Sequence, residues 1–175
     1  FRETKTMKRL FFILLFIPGI ALADATRCVS VTPTIDTAAY ATGDVMGGEM
    51  EFANILKQSF KAGYITSISI SDAADQDVDL EVVVFDQDPG AAGSDNAAFD
   101  PTDADLKNIR SAQLFGSSNR FSFNDNALLF KGGLSDAVGG HSSASRSLWA
   151  RLVARGAYDG DADSIQVTIC VSQDN

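Results

Sequence analysis

The feature that most restricts how this chain can fold is its period: apolar and polar residues alternate two by two through segment after segment, and no long amphipathic helix competes with that pattern. A β-strand sends successive side chains to opposite faces, so such a segment has one dry face and one wet one. Met50 and Phe52 alternate with Glu49 and Glu51, and Ile68 and Ile70 alternate with Ser67, Ser69 and Ser71. The pattern predicts strands at Cys28–Thr32, Glu49–Asn54, Tyr64–Ser71, Val78–Asp86, Leu148–Arg155 and Ser164–Ser172, with shorter ones at Ser111–Phe115, Arg120–Phe123 and Ala127–Lys131. Gly-, Asp-, Asn- and Ser-rich stretches at 44–48, 72–77, 132–147 and 156–163 read as connections. Pro101 followed by Asp103 and Asp105 suits a helix amino end, so one short helix is expected near 102–110. The resulting expectation is an all-β chain: a single β-sandwich, jelly-roll-like, with one short helix.

Two strands carry further information. In Val78–Asp86 one face is Val78, Leu80, Val82 and Val84, while the other turns from Asp79 and Glu81 to Val83 and Phe85, the mark of a central strand covered on both sides in its second half. In Leu148–Arg155 the residues Leu148, Ala150, Leu152 and Ala154 face the core, leaving Trp149, Arg151, Val153 and Arg155 outward. Trp and Arg are enriched at contact hot spots, so Trp149, Arg151 and Arg155 are candidate partner contacts.

From Met7 the chain runs MKRLFFILLFIPGIALADA, with basic Lys8 and Arg9, an apolar core, a Pro18-Gly19 break and a small-residue end at Ala23. These are the parts of a secretory signal peptide, and the apolar run is too short and broken for a membrane span. Residues 1–23 are therefore read as upstream residues and leader, and 24–175 as one sandwich domain. Without the leader's Arg2, Lys5, Lys8, Arg9 and Glu3, the 14 basic and 23 acidic residues become 10 and 22, a net charge of −12. Such a surface repels nucleic acid and anionic lipid and suits cations or basic partners.

Cys28 and Cys170 lie near the two ends of that domain, in strands where each falls on the polar face. An exported chain meets an oxidising compartment; if the terminal strands are antiparallel neighbours, the two sulfurs can bond on the outer side of the sheet, and otherwise they remain two free thiols.

Groups that perform chemistry are scarce. His141 is the only histidine and sits in GGHSSAS without a nucleophile elbow or a placed carboxylate, which argues against a serine hydrolase. One histidine and two cysteines make no zinc site, and no glycine loop has the phosphate-cradling form. Calcium is the one cofactor the carboxylates would suit. Asp159, Asp161 and Asp163 copy the start of a calcium loop, although Ser164 and Cys170 replace its glycine and glutamate. Asp86, Asp88, Asp95, Asn96 and Asp100 would form a second set if they converged. The expectation is no catalytic residue and no cofactor, with weak metal candidates at Asp86, Asp88, Asp159, Asp161 and Asp163.

Four stretches, TAAYATGDVMGGEMEFAN, GYITSISISDAADQDVDLEVVVFDQDP, DNAAFDPTDADL and LWARLVARGAYDGDADSIQVTICVSQD, together cover most of residues 37–174. In their order and spacing they resemble a family of small tailed-phage virion proteins, capsid-associated or decoration proteins. The residues that carry the resemblance are Tyr40, Gly43 and Asp44 in a turn before a long strand, Phe85, Asp86, Asp88 and Pro89 in the turn ending the central strand, and Asn96, Ala97, Ala98 and Phe99 ahead of the short helix. Gly43, Asp44, Asp86, Pro89, Asn96 and Phe99 then have structural work in turns and loop packing. The resemblance implies a non-catalytic virion component that docks on a protein lattice or on itself. The leader and cysteine pair depart from that family and point to the alternative, an exported carbohydrate- or cell-surface-binding module, periplasmic or extracellular, with calcium as an aid.

Overall fold

The computed structural model describes residues 25–57, 62–90, 93–139, 145–159 and 164–173. The leader expected at 1–23 lies outside them. Nine strands form: β1 (Ala25–Val31), β2 (Val45–Phe52), β3 (Ala62–Asp72), β4 (Leu80–Phe85), β5 (Ile109–Phe115), β6 (Arg120–Phe123), β7 (Asn126–Gly139), β8 (Leu148–Ala154) and β9 (Ile165–Gln173). They make two antiparallel sheets, one in the order β1-β9-β3-β7-β6 and one in the order β2-β8-β4-β5. The pairs β1·β9, β2·β8, β3·β7 and β4·β5 alternate between the sheets and nest inside one another, as they would if a single long ribbon were rolled up. The all-β sandwich read from the alternation is the architecture found.

The inner faces meet in one apolar layer. Ile68, Ile70, Val167 and Ile169 come from the first sheet, and Met50, Phe52, Val82, Val84, Leu148 and Leu152 from the second, all fully buried. Each such side chain contributes roughly 1.5–3 kcal/mol relative to exposure. β4 lies inside its sheet, between β8 and β5, with Val82 and Val84 in the core and Val83 and Phe85 buried on the other face. A polar seam joins β5 to β7. Ser111 donates to Asp136 Oδ2 at 2.6 Å, Gln113 Nε2 donates to the same oxygen at 3.0 Å, and Lys131 Nζ stands 5.5 Å from the centre of the Phe115 ring.

Several boundaries differ from the sequence reading, and three differ most. β2 starts at Val45 rather than Glu49, because Gly47 and Gly48 take left-handed φ values of 73° and 67° and carry the strand through a bulge between Met46 and Met50. β7 continues to Gly139 rather than ending at Lys131. Gly133, at φ 70°, lets the ladder resume beyond the irregularity, so that Asp136, Ala137, Val138 and Gly139 pair with Ile65, Tyr64, Gly63 and Ala62. The helix, α1, is one turn, Asp103–Leu106, shorter than the 102–110 expected. Thr102 and Asp105 cap each other reciprocally, but the following residues leave the helix for β5.

Cys28 and Cys170 are direct register partners in the β1·β9 ladder and are disulfide-bonded on the outer side of the sheet. At a sequence separation of 142, the bond removes about 5 kcal/mol of chain entropy from the unfolded ensemble. Replacing both by serine is expected to lower stability by roughly 2–5 kcal/mol, visible as a fall in Tm that reductant reproduces in the parent protein. Gly47→Ala is expected to cost about 2–4 kcal/mol in denaturant unfolding, since an added Cβ would stand 2.4 Å from Pro33 Cβ at a φ that L-residues avoid.

Candidate functional site

Of the turn residues named by the sequence resemblance, Gly43, Asp44, Asn96 and Phe99 meet along the free edge of β2. Val45 N–H donates to Ala97 O at 2.8 Å, Asn96 N–H to Val45 O at 2.9 Å, and Phe99 N–H to Gly43 O at 2.9 Å, so the 96–99 segment lies on β2 as a short extra strand. Asp95 Oδ1 fixes it, accepting from the Tyr40 hydroxyl at 2.8 Å and from Gly47 N–H at 2.6 Å. Burial, followed by the bond to Asp95, pushes the Tyr40 hydroxyl above the ordinary phenol range and keeps it a donor. Asp44 Oδ2 accepts from Ala41 N–H at 2.8 Å, Gly43 and Asn96 have φ values of 97° and 56°, and Phe99 meets Phe85 edge to face at 6.5 Å. This arrangement covers an edge that would otherwise offer unpaired backbone to another chain.

Among the described residues, the acidic side chains proposed as calcium ligands do not converge. Asp86 is buried and paired with Arg110 at 2.6 Å, while Asp88 Oδ1 accepts from Gly90 N–H at 2.6 Å in the turn that Pro89 opens. Asp95 belongs to Tyr40 and Gly47, Asp100 and Asp159 are exposed, and among the described residues no group of three or more His, Cys, Asp or Glu could hold a metal. Asp161, Asp163 and His141 fall outside the described residues.

Arg151 requires a correction. It points to the outer side of its sheet as its position predicts, yet it is only 1% exposed and cannot meet a partner. The connection between β4 and β5 folds back over this face: Gly90 O accepts from Arg151 Nη2 at 2.6 Å, Glu49 Oε2 pairs with the same nitrogen at 3.3 Å, and Gly93 packs on Val45. Trp149 is half-buried between Glu51 and Phe85 in the ladder, and Arg155, still exposed, pairs with Glu81.

The bare surface is the outer face of the five-stranded sheet. Its middle carries small polar groups, with Ser30 beside Thr168 at 2.8 Å and Ser67, Ser69 and Ser71 on β3. At the β6 edge the phenylalanines stand out: Phe121 and Phe123 are each 57% exposed and Phe130 is 45% exposed. Arg120 opposes Leu129, whose side chain is buried, so the ladder turns Arg120 inward and Phe121 and Phe123 to the opposite face. Sequence reasoning missed these rings because it treats Phe as core. The available signal was RFSF itself, a four-residue strand whose polar positions include an arginine with inward partners, Asp75 at 2.9 Å and the Val78 carbonyl.

No protein-family profile matches the chain, and no curated protein matches its sequence. Among solved structures, a chain of the empty head of turnip yellow mosaic virus is similar at 11% identity, over 98% of this chain and 89% of that one, with a TM-score of 0.28. A chain of desmodium yellow mottle tymovirus is similar at 8% identity, over 99% and 96%, with a TM-score of 0.28. Superposition at that level carries no argument about what this chain does.

The Glu49 carboxyl is pushed up, first by burial and then by the hydrogen bond and charge of Asp88, against the opposing pull of Arg151. Between the ordinary glutamate value and the raised one, the folded chain keeps a proton that the unfolded chain has released, so stability declines as pH rises through that interval. Glu49→Gln should flatten the dependence of Tm on pH across that interval, in paired thermal melts of the two proteins.

Proposed function

We propose that this chain is a non-catalytic structural protein of a virus particle, a capsid decoration or minor structural component of the tailed-phage type, built as a jelly roll with β6 added at one edge. The strand order supports that fold name, since β1-β9-β3-β7 facing β2-β8-β4-β5 is two four-stranded halves of one rolled ribbon. The observation that carries the docking reading is the asymmetry of the two outer faces. One is covered in part by the chain's own connection between β4 and β5, which leaves Leu114 47% exposed at the β5 edge, and the other ends in Phe121, Phe123 and Phe130 beside an edge strand with no neighbour among the described residues. Exposed aromatic rings grouped at one edge suit a protein surface, and a net charge of −12 after the leader disfavours nucleic acid. A repeated lattice supplies many copies of one such surface.

The Cys28–Cys170 bond favours oxidising surroundings for the folded domain, which a released particle and an exported protein both meet. Among the described residues no helix is long and apolar enough to cross a membrane.

Co-sedimentation with particles purified from the virus whose genome encodes the chain tests the reading. The parent protein is expected in the particle fraction, and Phe121→Ser with Phe130→Ser is expected to reduce binding at least about tenfold, each ring contributing on the order of 1–2 kcal/mol when covered. A protein that stays unbound, or a double variant that binds like the parent, overturns it.

A further inference from the structure

One end of the five-stranded sheet holds a pocket that the docking reading does not use. The carboxyl ends of β1, β3 and β6 and the starts of β7 and β9 surround a space of about 510 Å³, with Thr32, Ser71, Asp72, Phe123, Asn126 and Gln166 on its walls. Its size falls in the range of small-molecule sites, roughly 300–1,000 Å³. We propose that this pocket binds a neutral saccharide unit.

Asp72 lines the pocket while being 1% exposed. Its Oδ1 accepts three bonds, from the Tyr158 hydroxyl at 2.8 Å and from the backbone N–H groups of Ala74 at 3.0 Å and Asp75 at 3.2 Å. Those bonds are enough to hold the turn after β3. Oδ2 is also buried and has no hydrogen-bond partner. A buried carboxylate oxygen without a donor is unfavourable, and a donor from outside the chain, a water or a ligand hydroxyl, would relieve it. Among the described residues no cation pairs with Oδ2: Arg120 donates through Nη1 to Asp75 and through Nη2 to the Val78 carbonyl, while its Nε, 3.4 Å from Asp77, is buried without a hydrogen bond. Burial holds Tyr158 above the ordinary phenol range, so its hydroxyl stays on Oδ1 as a donor.

The rest of the lining selects the ligand class. Among the described lining residues there is no Lys, Arg or His, which disfavours phosphates and carboxylates. Asp72 is the one acidic side chain among them, too few for a hard cation, which takes six or more oxygens when it is calcium. Asn126 and Gln166 can each donate and accept, as can the hydroxyls of Thr32, Ser71 and Ser164, and this two-way capacity matches the hydroxyls of a sugar ring. Phe123, 57% exposed at the β6 side, offers an apolar face to the ring's C–H groups. A donor hydroxyl on Asp72 Oδ2 would then complete the one unsatisfied group.

The test applies the folded, disulfide-bonded protein to an array of neutral and N-acetylated oligosaccharides, then titrates the strongest binder by calorimetry. At least one neutral glycan is expected to bind. Phe123→Ala and Asn126→Ala are each expected to weaken it about tenfold, and Asp72→Asn to weaken it comparably. Leu106→Ala, on the exposed helix beside the other sheet, is expected to leave it unchanged. Asp72 also holds a turn, but Phe123 and Asn126 are exposed, so those variants decide the matter if Asp72→Asn does not fold. A silent array overturns the proposal, and so does binding that survives the Phe123→Ala, Asn126→Ala double variant. Neither result bears on particle docking, which Phe121 and Phe130 test separately.

Discussion

Pairing of β1 with β9 closes the ribbon inside which every other pair is nested. Of these four nested pairs, β4 meets β5 across the shortest separation, β3 meets β7 and β2 meets β8 across longer ones, and β1 meets β9 across nearly the whole domain. Loop-closure entropy grows with each step outward, so the outermost pair is the least favourable to form and the one that most needs reinforcement. The disulfide sits there, between direct register partners, on a strand otherwise bordered on one side only. Its position follows from the topology: a bond at any inner pair would restrain a shorter loop. Non-local pairing of this kind also folds slowly, which makes covered edges worth having.

The two sheets handle their outer faces differently, and the difference starts at one arginine. Arg151 lies in the middle of an interior strand, where a charge facing water would be ordinary, and the 86–108 connection then covers it. A buried guanidinium is unfavourable unless partnered, and here Gly90 O and Glu49 take only Nη2, leaving Nε and Nη1 without a partner. What offsets this is apolar: the same connection buries Val45, Val83, Val153 and Phe85 and lays its 96–99 segment along β2. The first sheet has no such cover, and its phenylalanines remain in water.

Much of this was legible in the alternation. All nine strand positions follow from period two, as do the two faces of β8, the interior place of β4 and the outward direction of both cysteines, because each depends on local pattern alone. What escaped depends on partners elsewhere in the chain. The start of β2 and the long tail of β7 run through Gly47, Gly48 and Gly133, where alternation breaks although hydrogen bonding continues. The burial of Arg151 is decided by a connection distant in sequence, and composition gives no hint that a long acidic loop folds onto a sheet. For β6 the hydrophobic pattern pointed the wrong way, since Arg120 has inward partners that Phe121 and Phe123 lack. The carboxylates were legible as abundant but not as dispersed, for their separation rests on Arg110, Tyr40 and Gly90, each bound to a different one.

Phe123 connects the two surfaces left open at the β6 edge. It stands on the same face as Phe121 and also forms a wall of the end pocket, so a ring bound in that pocket would cover apolar area that a docking partner would otherwise bury. Coupling of that kind is reciprocal: whatever a ligand takes from the affinity of the docked state, docking takes from the affinity of the ligand. Phe121 and Phe130 lie outside the pocket lining and are free of this competition. A partner resting on those two alone would leave the pocket open, whereas one reaching Phe123 would close it. The footprint on this edge therefore decides whether the two surfaces act independently or exclude each other.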